Sequence, residues 1–401
     1  MALRAVFHFQ HRQSIQRVSA ASCGSSSMNA KTKGFLLLII TVLLSLFILS
    51  YVLSSDERLS SYYHSATERR TTNRKQPTSS FSGNLSRNVN TVVILWYNFP
   101  SYLKNFVQNF KRQKCQNEGV NCILSTDNSD LNRSSIVIFT HRTLPKTPPL
   151  KIASQVWVFN TLENKRFTVW PNSAWQNAFE WIMSYQRTVD ISRPYGKIIR
   201  LDKSIERNYS EVFRQKKKFG VWMASHCPTP SRREKYIKEL QKYIEIDTFG
   251  TCGKRKCGVH NPNMNECLRN FSRDYKFYFA FENSICTDYS TEKVFNLYAY
   301  NLSIIPVING PPRASEYLPK ETFLSTLDYT SPKSLAKKLK EIGSSERLYT
   351  QYLKEKDKYI SLEQIEIFRE AMCSTCEILN QLGGKKVSIK PKLKSVYGKG
   401  C

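Results

Sequence analysis

Residues 275–302 read YKFYFAFENSICTDYSTEKVFNLYAYNL, and three patterns meet in them. The first seven residues form an aromatic and apolar run broken only by Lys276, which suits a buried strand. Residues 282–293 are polar, and the stretch from Val294 to Leu302 has helical spacing. A strand, a polar loop and a helix N-terminus together present donors to an anion. Asn283, Tyr289 and Lys293 supply amide, phenol and ammonium groups, and Glu292 can accept from sugar hydroxyls. An ordinary capped loop would have the same outline, so this segment alone does not decide a function.

Working outward, Thr91–Trp96, Ile136–Thr140 and Val156–Asn160 read as buried strands of one parallel sheet, with helical spacing over 101–114 and 172–185. A second series of strands is expected at Phe219–Ala224, Ile246–Phe249, Lys276–Phe281 and Ile304–Ile308. Ser231 is read as opening a helix, with Glu234 completing a capping box. Ser331 followed by Pro332 predicts the start of another helix, carrying Leu335 and Leu339. The alternation predicts an α/β chain with two parallel-sheet halves, broken near the charged residues 200–217. A ligand would then sit in the cleft at the carboxyl ends of the strands.

The chain has 401 residues with 60 Lys and Arg against 32 Asp and Glu, and is 41% hydrophobic, which excludes wholesale disorder. Residues 1–33 carry five basic residues and no acid, residues 54–90 carry six against three, and residues 383–401 carry six lysines and no acid. Half of the positive excess therefore lies outside the expected folded body. The remainder suits a polyanionic ligand such as a nucleotide diphosphate, although a generally basic surface fits the charge equally well.

Residues 34–53, GFLLLIITVLLSLFILSYVL, contain no charge and are long enough to cross a bilayer. Basic residues precede this stretch and Asp56 and Glu57 follow it, which predicts a signal anchor with the bulk of the chain on the lumenal side. A cleaved signal peptide is the competing reading, but the apolar run is long for a signal core. Residues 54–90 are rich in Ser, Thr, Asn and Arg and are expected to form a flexible stem. A lumenal location excludes nucleic acid as the partner.

Five Asn-x-Ser sequons follow the span, at Asn84, Asn132, Asn208, Asn270 and Asn301, and none precedes it. Ten of the eleven cysteines also follow it and are expected to pair as disulfides. Structural zinc is the competing reading of Cys373-Ser-Thr-Cys376, but there is no second CxxC at finger spacing.

The segment FENSICTDYSTEK (281–293) closely resembles the signature of the α1,3-fucosyltransferases, which reads FENS, three variable residues, DY, one variable residue and TEK. ILWYNFP (94–100), CILSTDNSDLNRSSIVIFTHR (122–142), WVFNTLEN (157–164) and SYQRTVDISRPYG (184–196) are similar to further family segments in the same order. The cysteines of FGTCGKRKCG (249–258) and FENSIC resemble the invertebrate and plant branch, which modifies the N-glycan core. The resemblance, to glycosyltransferase family 10, implies a GT-B-type α/β fold, with two Rossmann-like domains facing a cleft behind a single transmembrane helix and stem. It implies inverting transfer of fucose from GDP-fucose to GlcNAc, with a glycoprotein N-glycan or other GlcNAc-containing acceptor as partner, in the Golgi membrane.

On this reading residues 1–33 are a cytoplasmic tail, 34–53 the anchor, 54–90 the stem, 91–205 an acceptor-side domain, 206–382 a GDP-fucose-binding domain and 383–401 a basic tail. The resemblance makes Glu163 the catalytic base. Arg233 and Lys293 are the expected diphosphate clamps, with Arg232 as the rival of Arg233. Tyr289 would reach a phosphate oxygen, Glu292 the ribose or fucose hydroxyls, and Asn283 the donor. No Asp-x-Asp occurs in the chain and no obligatory metal is expected, although the resemblance leaves room for stimulation by Mn2+. His226 stands where the family has Asn, Gln186 where it has Arg, and Thr188-Val189 where it has Asp-Ser. These departures keep open a second reading, a catalytically weak or inactive, membrane-tethered glycan-binding relative.

Overall fold

In a computed structural model of the chain, the described residues are 90–112, 115, 120–257, 264–383, 385, 387–389, 393 and 401. The expected cytoplasmic tail, the apolar span at 34–53, the stem up to residue 89 and the sequon at Asn84 lie outside them, as does most of the basic tail. Among the described residues no helix is long and apolar enough to cross a membrane.

The first sheet is built from β1 (Asn90–Trp96), β2 (Val120–Ser125), β3 (Ile136–Thr140), β4 (Val156–Thr161), β5 (Trp181–Ser184) and the short β6 (Ile191–Ser192). These pair in parallel in the order β2-β1-β3-β4-β5-β6. All five residues of β3 are buried, as expected for a central parallel strand covered on both faces. Between β1 and β2 runs α1 (Lys104–Arg112), whose Val107 and Phe110 face the core with Phe106 beside them.

A short strand, β7 (Lys197–Arg200), and α2 (Tyr209–Gln215) lead into the second sheet. Its elements follow as β8 (Lys218–Met223), α3 (Arg233–Leu240), β9 (Ile246–Phe249), α4 (Met264–Asp274), β10 (Tyr275–Phe279), α5 (Glu292–Ala299), β11 (Ile305–Ile308) and β12 (Leu324–Ser325). The sheet is again parallel, in the order β12-β11-β10-β8-β9. Then come α6 (Pro332–Ser344), α7 (Glu346–Lys356), β13 (Tyr359–Leu362) and α8 (Gln364–Leu382). The expected start of α6 is observed: Ser331 and Ser334 form a reciprocal capping box around Pro332, and Leu335 and Leu339 are buried.

Two local expectations give way. Residues 172–185 are a single 3-10 turn at Ser173–Trp175 followed by β5, and no helix. All four β5 residues are buried between β4 and β6, and a short, fully buried run carries no period that separates strand from helix. The capping box at Ser231 and Glu234 does not form: α3 begins at Arg233, behind an Arg232 in the left-handed region at φ 53°. Ser231 donates its hydroxyl to the Glu282 carbonyl at 2.6 Å, and Glu234 accepts from Thr229 at 3.1 Å. A tertiary bond has taken the hydroxyl that a local cap would have used.

Residues 364–382 also depart from their place in the sequence order. β13 pairs antiparallel with β7, which returns the chain to the first sheet. There α8 packs Phe368, Ala371 and Met372 among Ile94, Trp96 and Ile138, with Phe368 stacked on Trp96 at 5.8 Å between ring centroids. Disulfides Cys115–Cys373 and Cys122–Cys376 fasten this helix across 258 and 254 residues of sequence. The CxxC is thus divided between two bridges and is no zinc site. Cys227–Cys252, Cys257–Cys267 and Cys286–Cys401 complete the pairing, which fits an oxidising compartment.

Because Phe368 is fully buried in the first core, Phe368→Ala should remove about 3–5 kcal/mol of stability in chemical denaturation, and Phe368→Leu much less. A loss below about 1 kcal/mol for the alanine variant would mean that α8 does not complete that core.

Candidate active site at the carboxyl ends of the second sheet

The loops after β8, β9 and β10 enclose a cavity of about 740 Å³ whose walls include His226, Arg233, Gly250, Asn283, Glu292 and Lys293. It opens where ligands bind in parallel α/β sheets, and the first turns of α3 and α5 point into the same region. Gly250 has φ +85°, and a Cβ there would lie 2.4 Å from the Ala224 carbonyl oxygen, so the turn after β9 needs glycine. Four of the five expected donor ligands therefore share one wall.

The wall is organised around a buried carboxylate. Glu282 accepts from the Thr291 backbone N–H at 2.8 Å and from its hydroxyl at 2.9 Å, and it pairs with the Lys293 ammonium at 3.2 Å. Lys293 also donates to the Thr291 hydroxyl at 2.7 Å and to Glu292 at 3.0 Å. Asn309 closes the cluster by accepting from the Glu282 N–H at 2.7 Å and donating to its carbonyl at 3.1 Å. Burial pushes the Glu282 carboxyl up, with Lys293 opposing. Burial alone would push Lys293 down, but Glu282 and Glu292 hold its ammonium well above the usual range. Burial would raise the Glu292 carboxyl, but Lys293 beside it leaves it below its ordinary value. Lys293 is thus a fixed cation at the head of α5.

Arg233 is buried and donates to the Phe281 carbonyl at 2.8 Å and the His226 carbonyl at 3.0 Å, which ties the loops after β8 and β10 together. Burial lowers its pKa, opposed by Glu282 and Glu234. Its Nε has no partner among the described residues. Arg232 is exposed and lines no part of this cavity, so the geometry separates the two arginines.

Tyr289 is placed differently from the other donor candidates. Its ring is buried edge-to-face against Tyr185 at 4.9 Å and Tyr195 at 6.3 Å, and it does not line the cavity. Burial drives its phenol pKa up.

Glu163 follows β4 at the carboxyl end of the first sheet. Its backbone N–H donates to Thr161 at 3.1 Å, and its carboxylate accepts from Arg142 at 3.0 Å. The neighbouring Asn164, fully buried, donates to the side-chain oxygen of Asn283 at 3.1 Å. That bond joins the segment of the expected base to the donor loop. His141 secures the same segment from below, accepting from the Val169 N–H through Nδ1 at 2.9 Å.

Glu282, Asn309, Asn164, Arg142 and His141 were given no role from the sequence. Glu282 lies inside the quoted FENS segment, and Asn164 and Arg142 inside other quoted segments, but only the fold shows which side chains they meet. Of the sequons, Asn132, Asn208 and Asn270 are exposed, while the Asn301 side chain accepts from Arg207 at 2.8 Å. Among the described residues no group of three His, Cys, Asp or Glu side chains gathers to hold a metal ion.

Two parallel α/β sheets, with a cationic cavity at the strand ends of the second, form an α/β protein with a site suited to an anionic ligand, and comparison with known proteins identifies the family. Residues 213–395 match the family described as glycosyltransferase family 10 (fucosyltransferase), C-terminal part, and residues 88–196 match the fucosyltransferase N-terminal family. The human 4-galactosyl-N-acetylglucosaminide 3-alpha-L-fucosyltransferase 9 is 32% identical over 307 residues, covering 72% of this chain and 77% of that protein. Glycoprotein 3-alpha-L-fucosyltransferase A of Drosophila melanogaster is 35% identical over 183 residues, 44% of this chain but only 36% of that protein. A crystal structure of an α1,3-fucosyltransferase shares the fold with a TM-score of 0.50 at 18% identity, covering 78% of this chain and 96% of that one. The chain belongs to glycosyltransferase family 10, the family of GDP-fucose-dependent α1,3-fucosyltransferases.

Burial first, and then the charge of Arg142, lower the His141 pKa from 6.5 to about 4. An unfolded chain takes up this proton below about 6.5, whereas the folded one resists until about 4. The contribution to stability is therefore complete above that window and is lost as pH falls through it. Melting temperatures measured from pH 7 to 4 should show a shallower acid decline for His141→Gln than for the parent chain. Parallel curves would remove His141 as the titrating group.

Proposed function

We propose that the chain transfers L-fucose from GDP-fucose, with inversion, to O3 of a GlcNAc residue on glycoprotein glycans, the N-glycan core being the acceptor we favour. The observation that carries this reading is the Asn164–Asn283 bond. It sets Glu163 one residue from a direct contact with the loop whose next helix bears Glu292 and Lys293. The cysteines of the donor loop and of residues 249–258 favour the invertebrate and plant branch of the family. The apolar stretch at 34–53, the sequons and five disulfides favour a single-pass Golgi protein with a lumenal catalytic part. Residues 91–205 would serve the acceptor and 206–382 the donor, with α8 lending support to the acceptor side.

In this scheme the Glu163 carboxylate accepts the proton of the GlcNAc 3-hydroxyl as that oxygen attacks fucose C1. The bond from C1 to the β-phosphate oxygen breaks on the opposite face, and GDP leaves with the electron pair. Lys293 and the charge of Arg233 meet the negative charge that grows on the diphosphate. Arg233 has five N–H donors, and two backbone bonds leave others for an oxygen ligand. Glu292 and Asn283 would hold donor hydroxyls. Tyr289, enclosed between two tyrosines, would keep the loop in shape rather than touch phosphate directly. Arg142 holds the base carboxylate in one orientation.

Glu163→Gln should lower transfer to a GlcNAc-terminated acceptor by about a hundredfold or more, with GDP affinity changed by less than about twofold. Near-normal turnover would remove Glu163 as the base. Lys293→Ala should weaken GDP binding by about tenfold to a hundredfold in calorimetry, since a bond to a charged group is lost. An unchanged dissociation constant would place the diphosphate elsewhere. The departures at His226 and Gln186 support the other reading, a glycan binder without catalysis. Glycan binding with no turnover on core and Lewis-type acceptors would favour it.

A further inference from the structure

A second cavity, of about 540 Å³, lies beside the donor loop and shares no lining residue with the first. Helix α5 divides them: Lys293 and Asn296 face the donor cavity, and Phe295 faces the second one. Its other walls come from residues 185–200, from residues 315–319 and from Tyr359 of β13. The chain passes so close to α5 that a Cβ on Gly196 would lie 2.3 Å from the Phe295 ring.

The position follows from the first sheet. The carboxyl end of β4 leads to Glu163, and the carboxyl end of its neighbour β5 leads to Tyr185 and Arg187. Adjacent strands are about 4.8 Å apart, so the second cavity continues along the same strand ends, towards the sheet edge. Tyr195, between the wall residues Pro194 and Gly196, links the two places: its hydroxyl donates to the Leu162 carbonyl at 2.9 Å, next to Glu163.

The chemistry of the walls is selective. Arg187 binds Asp288 through Nε at 3.1 Å and through its backbone N–H at 3.2 Å, and it also pairs with Glu316, which Arg313 meets at 3.2 Å as well, so each acid has a cationic partner. Tyr359 and two prolines give flat apolar faces, Tyr317 carries the Arg187 guanidinium over its ring at 5.2 Å, and exposed Arg200 and Ser315 stand at the rim as hydrogen-bonding groups. Flat faces that pack on the C–H side of a pyranose, flanked by donors and acceptors for its hydroxyls, suit a saccharide better than an ion or a fully apolar ligand. We propose that this cavity is a subsite for the oligosaccharide that carries the acceptor sugar, holding a branch of the glycan while its reacting GlcNAc lies at Glu163. This extends, and rests on, the fucosyl-transfer reading above.

Ser315→Trp tests it, because the exposed serine touches neither the donor cavity nor the Glu163 segment and a tryptophan would fill the subsite. The full chain would be assayed with GDP-fucose and two acceptors, the GlcNAc-GlcNAc disaccharide and a branched, fucose-free N-glycan oligosaccharide. KM for the branched acceptor should rise about tenfold, with KM for GDP-fucose and kcat/KM for the disaccharide unchanged. Arg200→Ala should act in the same direction with a smaller effect. Equal changes for both acceptors, or none for either, would overturn the subsite. Saturation-transfer NMR with the branched oligosaccharide and excess GDP gives a readout independent of turnover. Signals present for the parent and lost for Ser315→Trp support the subsite even if no acceptor is fucosylated, in which case only the transfer reading fails. Equal signals for both proteins would overturn the subsite while leaving the transfer reading untouched.

Discussion

The site depends on one buried charge cluster, Lys293 held by Glu282, Glu292 and Thr291 at the head of α5. An ammonium taken out of water needs compensating partners, and a carboxylate as enclosed as Glu282 needs them equally. Each answers the other, the Thr291 backbone and hydroxyl also donate to the carboxylate, and Asn309 holds the Glu282 backbone. Breaking the cluster by removing one member would strand a charge in the interior. The outcome is a cation whose position is set before any ligand arrives, which is what stabilising a leaving diphosphate requires.

Around this cluster the fold ties two sheets into one unit by several different means. The antiparallel pair β7–β13 returns the chain to the first sheet, where α8 closes the core and is held by two disulfides. Asn164–Asn283 and Arg187–Asp288 connect the strand ends of the first sheet to the donor loop by side chains. Cys286, in the middle of that loop, is bonded to Cys401, and Leu393 packs beside Trp170 and Tyr185. The donor loop is therefore restrained from both halves and from the C-terminal segment.

Much of this was legible in the sequence. The strands at 136–140 and 246–249 match in full, and at 136–140 a continuous apolar run between polar turns leaves little choice. Ser331-Pro332 marked α6 by purely local chemistry. Failures came where tertiary contacts decide. Residues 181–184 are buried too completely to show a period, and the Ser231 hydroxyl was claimed by Glu282, 51 residues away. The return of α8 to the first sheet could not be read from order along the chain. At the site, residue types in the FENS segment pointed to an anion, and four of five donor candidates do share a cavity. Tyr289 does not, because an aromatic ring next to two others is driven into the core. Glu282 went unnoticed, since a buried carboxylate with a structural partner looks like any surface acid in a string of letters.

The most direct measurement is a crystal structure of the full chain with bound GDP and a GlcNAc acceptor. The account predicts a diphosphate oxygen within hydrogen-bond distance of the Lys293 ammonium, and the acceptor 3-hydroxyl within hydrogen-bond distance of the Glu163 carboxylate, on the side of the crevice across from the diphosphate. A diphosphate bound away from α5, or an acceptor hydroxyl beyond the reach of Glu163, would contradict it.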